Sequence, residues 1–370
     1  MQKIVIIGTG LIGGSIARAY RAAEPNAEIV AIDIEQESLD LLIEENIINA
    51  GFLKIEPQAL ANANIIIIAT PLQYWNKCAE ILQQYLQHTP ELIIDVGSIK
   101  QYAVDCFAGL PNFVPTHPIA GSEFSGAAFS TPQLFQNKRV IIIPKDSQNL
   151  SQTEEIAINF WQKLGAYHSF LTADIHDLIY AYVSHLPQFA AFAMAEDFLP
   201  HLDAQDLSTN EHNFYRLCGS NPALWSWIFK YNPHLTNAAE TFLQLINHMI
   251  AELKTADLAN PNIDINIGLK LSPRIIASCL ISSVNLAEKK HSLSLARYGG
   301  AGLADMTHPA MTDPAQDLEL ISKHSSDVVA CLELFEKKLR ELILTLKVDN
   351  LESLNEKLQQ ARKSYEQFIE

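Results

Sequence analysis

The sequence lacks most of what would direct a chain to a membrane, a nucleic acid or a metal. No apolar run reaches the roughly 20 residues of a membrane-spanning helix. The amino terminus enters an apolar stretch at Lys3-Ile4-Val5-Ile6-Ile7 with no basic, cleavable leader, so a cytoplasmic protein is expected. The five cysteines, Cys78, Cys106, Cys218, Cys279 and Cys331, are scattered and form no C-x-x-C pair or Cys/His cluster. Reduced thiols and no metal site are the expectation. Positive charge is also scarce: 26 Lys and Arg against 42 Asp and Glu leave a net charge of −16. That argues against nucleic acid or a membrane surface as partner, and an anionic small molecule would need a locally positive pocket.

What is present begins as a regular alternation of strand and helix. The 370 residues, 48% apolar, leave room for two or three domains. Ile4 to Ile7 reads as a parallel strand buried on both faces. It runs into Gly8-Thr9-Gly10-Leu11-Ile12-Gly13-Gly14-Ser15 and then a helical stretch, Ile16 to Ala23. The first glycine permits a tight turn, the second lets backbone approach a pyrophosphate, and the third allows close helix–strand contact. A second strand, Glu28 to Ile32, ends in Asp33. A carboxylate there accepts ribose hydroxyls and repels a 2′-phosphate, which points to NAD rather than NADP.

Further strands close on Ala69-Thr70-Pro71 and on Asp95-Val96-Gly97-Ser98-Ile99-Lys100, and Lys138 to Ile143 reads as another. Phe113-Val114-Pro115 reads as a short buried strand ending at His117, on the loop Thr116-His117-Pro118-Ile119-Ala120-Gly121-Ser122-Glu123. Ligands of such sheets sit beyond the carboxyl ends of the strands, so Thr70, Ser98 and His117 should converge. The cofactor set is Gly8, Gly10, Leu11, Ile12, Gly13, Asp33, Thr70 and Pro71.

The combined motifs resemble the prephenate/arogenate dehydrogenase family of tyrosine biosynthesis. The matching residues are the glycine motif, Ala69-Thr70-Pro71, Asp95 to Lys100, His117 to Glu123, and Ser184-His185-Leu186-Pro187-Gln188. Arg216 with Asn221-Pro222 and Trp225 match more loosely, and the likeness covers about residues 1 to 255. The resemblance implies oxidative decarboxylation of a cyclohexadienyl substrate with NAD or NADP. It implies that His117 draws a proton from the ring hydroxyl, that Ser98 orients both, and that Arg216 binds a substrate carboxylate. Glu123 would gate the pocket, while Ser184, His185, Gln188 and Trp225 would line or border it. Taken singly, each has a plainer role: a turn histidine, a helix cap at Ser98, a surface ion pair at Arg216, a solvated carboxylate at Glu123, a buried hydrogen-bonder at His185, a core aromatic at Trp225.

After Leu171 the pattern changes to long helical periods, and similar material occurs twice. Leu271-Ser272-Pro273-Arg274 echoes His185 to Gln188, and His308 to Pro314 echoes Arg216 to Pro222. The face formed by Val328, Leu332, Phe335, Leu339, Leu342 and Leu346 repeats that of Leu243, Ile246, Met249, Ile250 and Leu253. A degenerate internal duplication accounts for this. The second copy keeps Gly302-Leu303-Ala304-Asp305-Met306-Thr307, while Asn213 holds the Asp position of the first. The expected architecture is a Rossmann-type α/β domain (1–171) followed by an all-α part in two copies (172–256 and 257–370). The expected function is NAD-dependent prephenate dehydrogenase, as a monomeric pseudo-dimer or a homodimer. The alternatives are arogenate dehydrogenase and an NAD-binding regulatory or scaffold protein with a decayed substrate site.

Overall fold

Runs of consecutive isoleucine suit strands covered on both faces, and the first half of the chain is built on them. The computed structural model describes residues 2–121, 125–255 and 263–370, in two units, Met1–His176 and Asp177–Glu370. In the first, β1 (Lys3–Ile7), β2 (Glu28–Ile32), β3 (Ala50–Phe52), β4 (Ile65–Ile68), β5 (Leu92–Asp95) and β6 (Phe113–Val114) form a parallel sheet. The strand order is β3-β2-β1-β4-β5-β6. The helices are α1 (Leu11–Ala23), α2 (Gln36–Glu44), α3 (Pro57–Leu60), α4 (Trp75–Tyr85) and α5 (Lys100–Phe107). Connections leave β1 and β4 toward opposite edges of the sheet, so a crevice opens at their carboxyl ends. Gly8 and Ala69 meet there.

The expected strand ending at His117 takes a different form. β6 stops at Val114, and Pro115, which has no N–H to give to a ladder, marks the point where the chain changes sheet. His117 lies in the middle of β7 (Thr116–Pro118), opposite Ile141 of the antiparallel β8 (Arg139–Ile142). After α6 (Gln152–Lys163), β9 (Tyr167–Phe170) pairs parallel to β8, giving a separate three-stranded sheet. The stretch 138–143 therefore belongs to this second sheet and not to the large parallel one.

The remainder is helical, as expected. After α7 (Ala173–Tyr180) comes a π-helical turn, Ala181–His185, and then α8 (Leu186–Phe198). Pro187 cannot donate to the Val183 carbonyl and its ring crowds that oxygen, and a widened turn at this point relieves both. There follow α9 (Thr209–Arg216), α10 (Pro222–Tyr231), α11 (Leu235–Thr255), α12 (Ile265–His291), α13 (Ala301–Thr307), α14 (Pro314–Lys323), α15 (Ser325–Lys347) and α16 (Leu351–Ile369). α11 and α15 pack along each other, and α16 lies against α8 and α10.

One expectation fails at α12, whose 27 residues are long and apolar enough by length and composition to cross a membrane. Interspersed Ser, Asn and Lys hide this when the sequence is read for unbroken runs. Of its most apolar window, 67% is buried inside the protein, and α12 packs on α11 and α15 as a core helix does. The cysteines are free; four are buried and Cys106 is half-buried. Burial pushes the Cys78 and Cys279 thiols up to about 12.

Candidate active site

Gly8 has φ +97°, and a Cβ there would come within 2.6 Å of the Ala69 carbonyl oxygen. A Cβ on Gly13 would lie 1.9 Å from the Gly8 carbonyl oxygen, so α1 approaches the β1 turn this closely only without a side chain. Gly10 caps α1 with no side-chain acceptor, and a Cβ there would meet open space. The amides of Leu11, Ile12 and Gly13 precede the first intrahelical bond, from Gly14 N–H to the Gly10 carbonyl at 2.9 Å. Such amides, with the helix dipole behind them, form an anion site.

At the end of β2, Asp33 accepts from the Thr9 amide (2.5 Å), the Thr9 hydroxyl (2.8 Å) and the Glu35 amide (3.0 Å). Those bonds fix the carboxylate and leave lone pairs for a ligand hydroxyl. After β4, the Thr70 hydroxyl is buried with no hydrogen-bond partner among the described residues, and Pro71 follows it. A dinucleotide fits this set: helix amides for its phosphates, Asp33 for a ribose, and an unsatisfied hydroxyl at Thr70.

The His117 strand rests on a buried ionic network. Asp95, the last residue of β5, and Lys100, the first of α5, are both 0% exposed and ion-paired. Lys100 Nζ also donates to the Thr116 carbonyl at 2.6 Å and stands 5.9 Å from the centre of the Trp75 ring. Asp95 accepts from the amides of Gly97 (2.9 Å) and Thr116 (3.2 Å), and its carbonyl accepts from the Thr116 hydroxyl (2.5 Å). Burial pushes the Asp95 carboxyl up, and Lys100 pulls it back. The Trp75 indole donates to the Thr70 carbonyl at 3.0 Å. Its ring lies where a Cβ on Gly97 would be, so the turns after β4 and β5 are locked together.

His117 itself is half-buried, and its Nδ1 lies 2.8 Å from Nε2 of His176 on α7. His176 is wholly buried; burial first, and the Lys100 charge second, hold it well below the ordinary imidazole range. It is therefore neutral near pH 7. Ser98 is half-buried at the exit of β5 and does not cap α5, whose N-cap is Ile99. Its hydroxyl has no partner among the described residues. Glu123 lies outside the described residues.

In the helical unit, Ser184 is the one residue of the π-helical turn that is not fully buried. His185 Nδ1 meets the Asn232 side-chain amide at 2.8 Å, that amide also donates to the Asp177 carbonyl at 2.9 Å, and the Trp225 ring sits edge-on at 5.9 Å. Gln188 is buried; its Nε2 donates to the Leu217 carbonyl (2.7 Å), and its Oε1 accepts from Ser220 (3.0 Å). Both ends of that amide thus hold the turn that follows Arg216. Arg216 gives its Nε to Asp305 at 2.7 Å and its Nη2 to the same carboxylate.

Sequence reading missed His176, Lys100 and Asp95 as parts of this machinery. An acid and a base five residues apart in an otherwise apolar segment hint at a buried pair. Nothing local marks His176, which reaches His117 across 59 positions.

Residues 16–169 match the nucleotide-binding domain of prephenate dehydrogenase, and residues 172–261 match its dimerization domain. The cyclohexadienyl dehydrogenase of Zymomonas mobilis is 28% identical over 68% of this chain and 86% of its own length. The prephenate dehydrogenase of Bacillus subtilis is 31% identical over 62% of this chain, and the match spans 64% of that enzyme. The prephenate dehydrogenase structure from Aquifex aeolicus superposes with a TM-score of 0.59 at 26% identity, covering 79% of this chain and 99% of that one. The two matched domains adjoin in the same order and between them span well over half of the sequence, so the chain belongs to the prephenate dehydrogenase family.

Proposed function

We propose that this chain is an NAD-dependent dehydrogenase that converts prephenate to 4-hydroxyphenylpyruvate and carbon dioxide, in tyrosine biosynthesis and in the cytoplasm. The observation that carries the reading is His117, held at Nδ1 by a buried neutral imidazole in the same unit as a glycine-lined dinucleotide cradle. When bound, the nicotinamide supplies the hydride acceptor. With Nδ1 turned to His176 Nε2 at 2.8 Å, Nε2 is the His117 atom assigned to take the proton of the substrate's ring hydroxyl. A neutral imidazole is a competent acceptor for such a proton. His176 then accepts a charge-assisted bond from the imidazolium, which is stronger than the bond to the neutral ring.

Ser98, whose hydroxyl has no partner among the described residues, is assigned to orient the ring hydroxyl and His117. Arg216 has Nη1 to offer a substrate carboxylate, its other donors being steadied by Asp305. His185 and Gln188 hold the Trp225 ring and the Arg216 turn, and we assign Ser184 to substrate binding and Glu123 to gating. Loss of carbon dioxide is driven by aromatisation, so alignment is the main task left to the protein. Arogenate, carrying an amine in place of the keto group, remains the second substrate reading, and the Zymomonas relative bears a name that covers both. The match to a dimerization domain supports pairing of this helical region with a like one, in a homodimer or within the chain.

The test is NADH formation from prephenate and from arogenate, each with NAD and with NADP. His117→Asn should lower turnover at least ~10²-fold with NAD binding intact, as for loss of a positioned base. Near-normal turnover by that variant, or no turnover of either substrate by the parent, would overturn the assignment. An NAD-binding scaffold would give the second result.

A further inference from the structure

The helical unit contains the same series of elements twice. α8, α9, a 3-10 turn (Leu217–Gly219), α10 and α11 are followed by α12, α13, a 3-10 turn (His308–Ala310), α14 and α15, with two more 3-10 turns between α8 and α9 and one between α12 and α13. The details recur as well. Pro187 lies in the first turn of α8 and Pro273 inside α12. α10 opens on Asn221-Pro222, with the Asn221 side chain accepting from Ala223 N–H at 2.9 Å. α14 opens on Asp313-Pro314, with the Asp313 side chain accepting from Ala315 N–H at 2.9 Å.

The packing is crossed. α11 lies along α15, α9 against α13, α8 against α15 and α12 against α11. Like elements meet each other, and unlike elements meet in reciprocal pairs, as in an isologous interface of two-fold symmetry.

The two copies differ in complementary ways. The carboxyl end of α9 carries Asn213 and Arg216; three residues apart in the same register, α13 and its following turn carry Asp305 and His308. One diagonal forms the Arg216–Asp305 ion pair. The other diagonal, Asn213 with His308, has lost both charged partners. The positions of Gln188 and Trp225 are filled in the second copy by Arg274 and Asp317, which pair with each other, and Asp317 also accepts from Thr312. The place that holds an aromatic wall in the first copy is closed by an ion pair in the second.

We infer that residues 263–370 are a built-in helical partner, so that one chain is a complete pseudo-dimer with a single substrate site and a second pocket sealed by Arg274 and Asp317. The word substrate rests on the function proposed above; the pairing does not. Native mass spectrometry and light scattering should give 41.2 kDa, the mass of one chain, at all concentrations from nanomolar to tens of micromolar. The second measurement restores the erased diagonal with Asn213→Asp and His308→Arg. Pseudo-symmetry places these positions opposite each other, so the double variant should melt about 2 °C or more above the sum of the two singles. A stable two-chain species, or strictly additive singles, would overturn the inference. Neither readout involves turnover. A monomer with coupled variants but no activity on prephenate or arogenate would sink the functional reading alone, and an active obligate dimer would sink the duplication alone.

Discussion

Lys100→Met tests whether the network behind His117 is held by charge. Lys100 and Asp95 are wholly buried, so the substitution leaves a carboxylate without its cation in the interior. Breaking such a pair costs about 3–5 kcal/mol. Asp95 retains the Gly97 and Thr116 amides at 2.9 and 3.2 Å, which places the expected loss at the lower end, about 3 kcal/mol. For a unit of this size that is a fall of about 6–12 °C in melting temperature. The pH dependence gives an independent check. Burial already pushes the Asp95 carboxyl up, and without Lys100 it rises further. The native state then holds a proton that the unfolded chain has released, so the deficit grows as pH rises through that interval and shrinks toward acid. Urea unfolding of the parent, Lys100→Met and Lys100→Met/Asp95→Asn between pH 5 and 8 measures all of this. The double variant should recover part of the loss. A deficit below about 1 kcal/mol, or one independent of pH, would refute the assignment of a buried, mutually dependent pair.

Three further outcomes are expected. His176 is held below the ordinary imidazole pKa, so as pH falls below ~6.5 the unfolded chain gains a proton that the native state refuses, costing at most ~1.4 kcal/mol per unit. His176→Phe should abolish that part of the slope in a melting series from pH 8 to 5, and should also lower kcat by freeing His117; an unchanged slope would count against it. Gly13→Ala places a methyl on the Gly8 carbonyl and should remove NAD binding in calorimetry, at a stability cost of about 1–3 kcal/mol. Gly219→Ala would set a Cβ 2.4 Å from the Tyr365 ring, so the ring must shift, and a loss of about 1–3 kcal/mol should appear in thermal melts of the helical unit.

Much of the α/β unit was legible because a strand buried on both faces and a glycine turn against a helix leave signals within a few residues. Ile65 to Ile68 admits few other readings, and the Gly8 to Gly13 spacing is dictated by contacts that a Cβ would block. The change of sheet at Pro115 was not legible, because β7 is defined by a partner strand more than 20 residues away. His176 was silent for the same reason: its meaning is its distance to His117, a tertiary quantity. α12 was misjudged because helical burial tolerates scattered Ser whose hydroxyls bond back to the helix, as Ser272 does to the Gly268 carbonyl (2.8 Å).

The placement of α16 bears on the order in which the chain can fold. This last helix packs on α8, on α10 and on the turn bearing Gly219, whereas α14, the counterpart of α10, has no buried residue. Segments made early thus wait for a cover more than 100 positions downstream, a long loop to close and a source of slow assembly. In the second copy α16 touches α15, where Lys357 pairs with Glu341, and leaves α14 uncovered. Cleavage at the tight turn around Asp349, which has φ 54°, would therefore loosen the cover of α8 and α10.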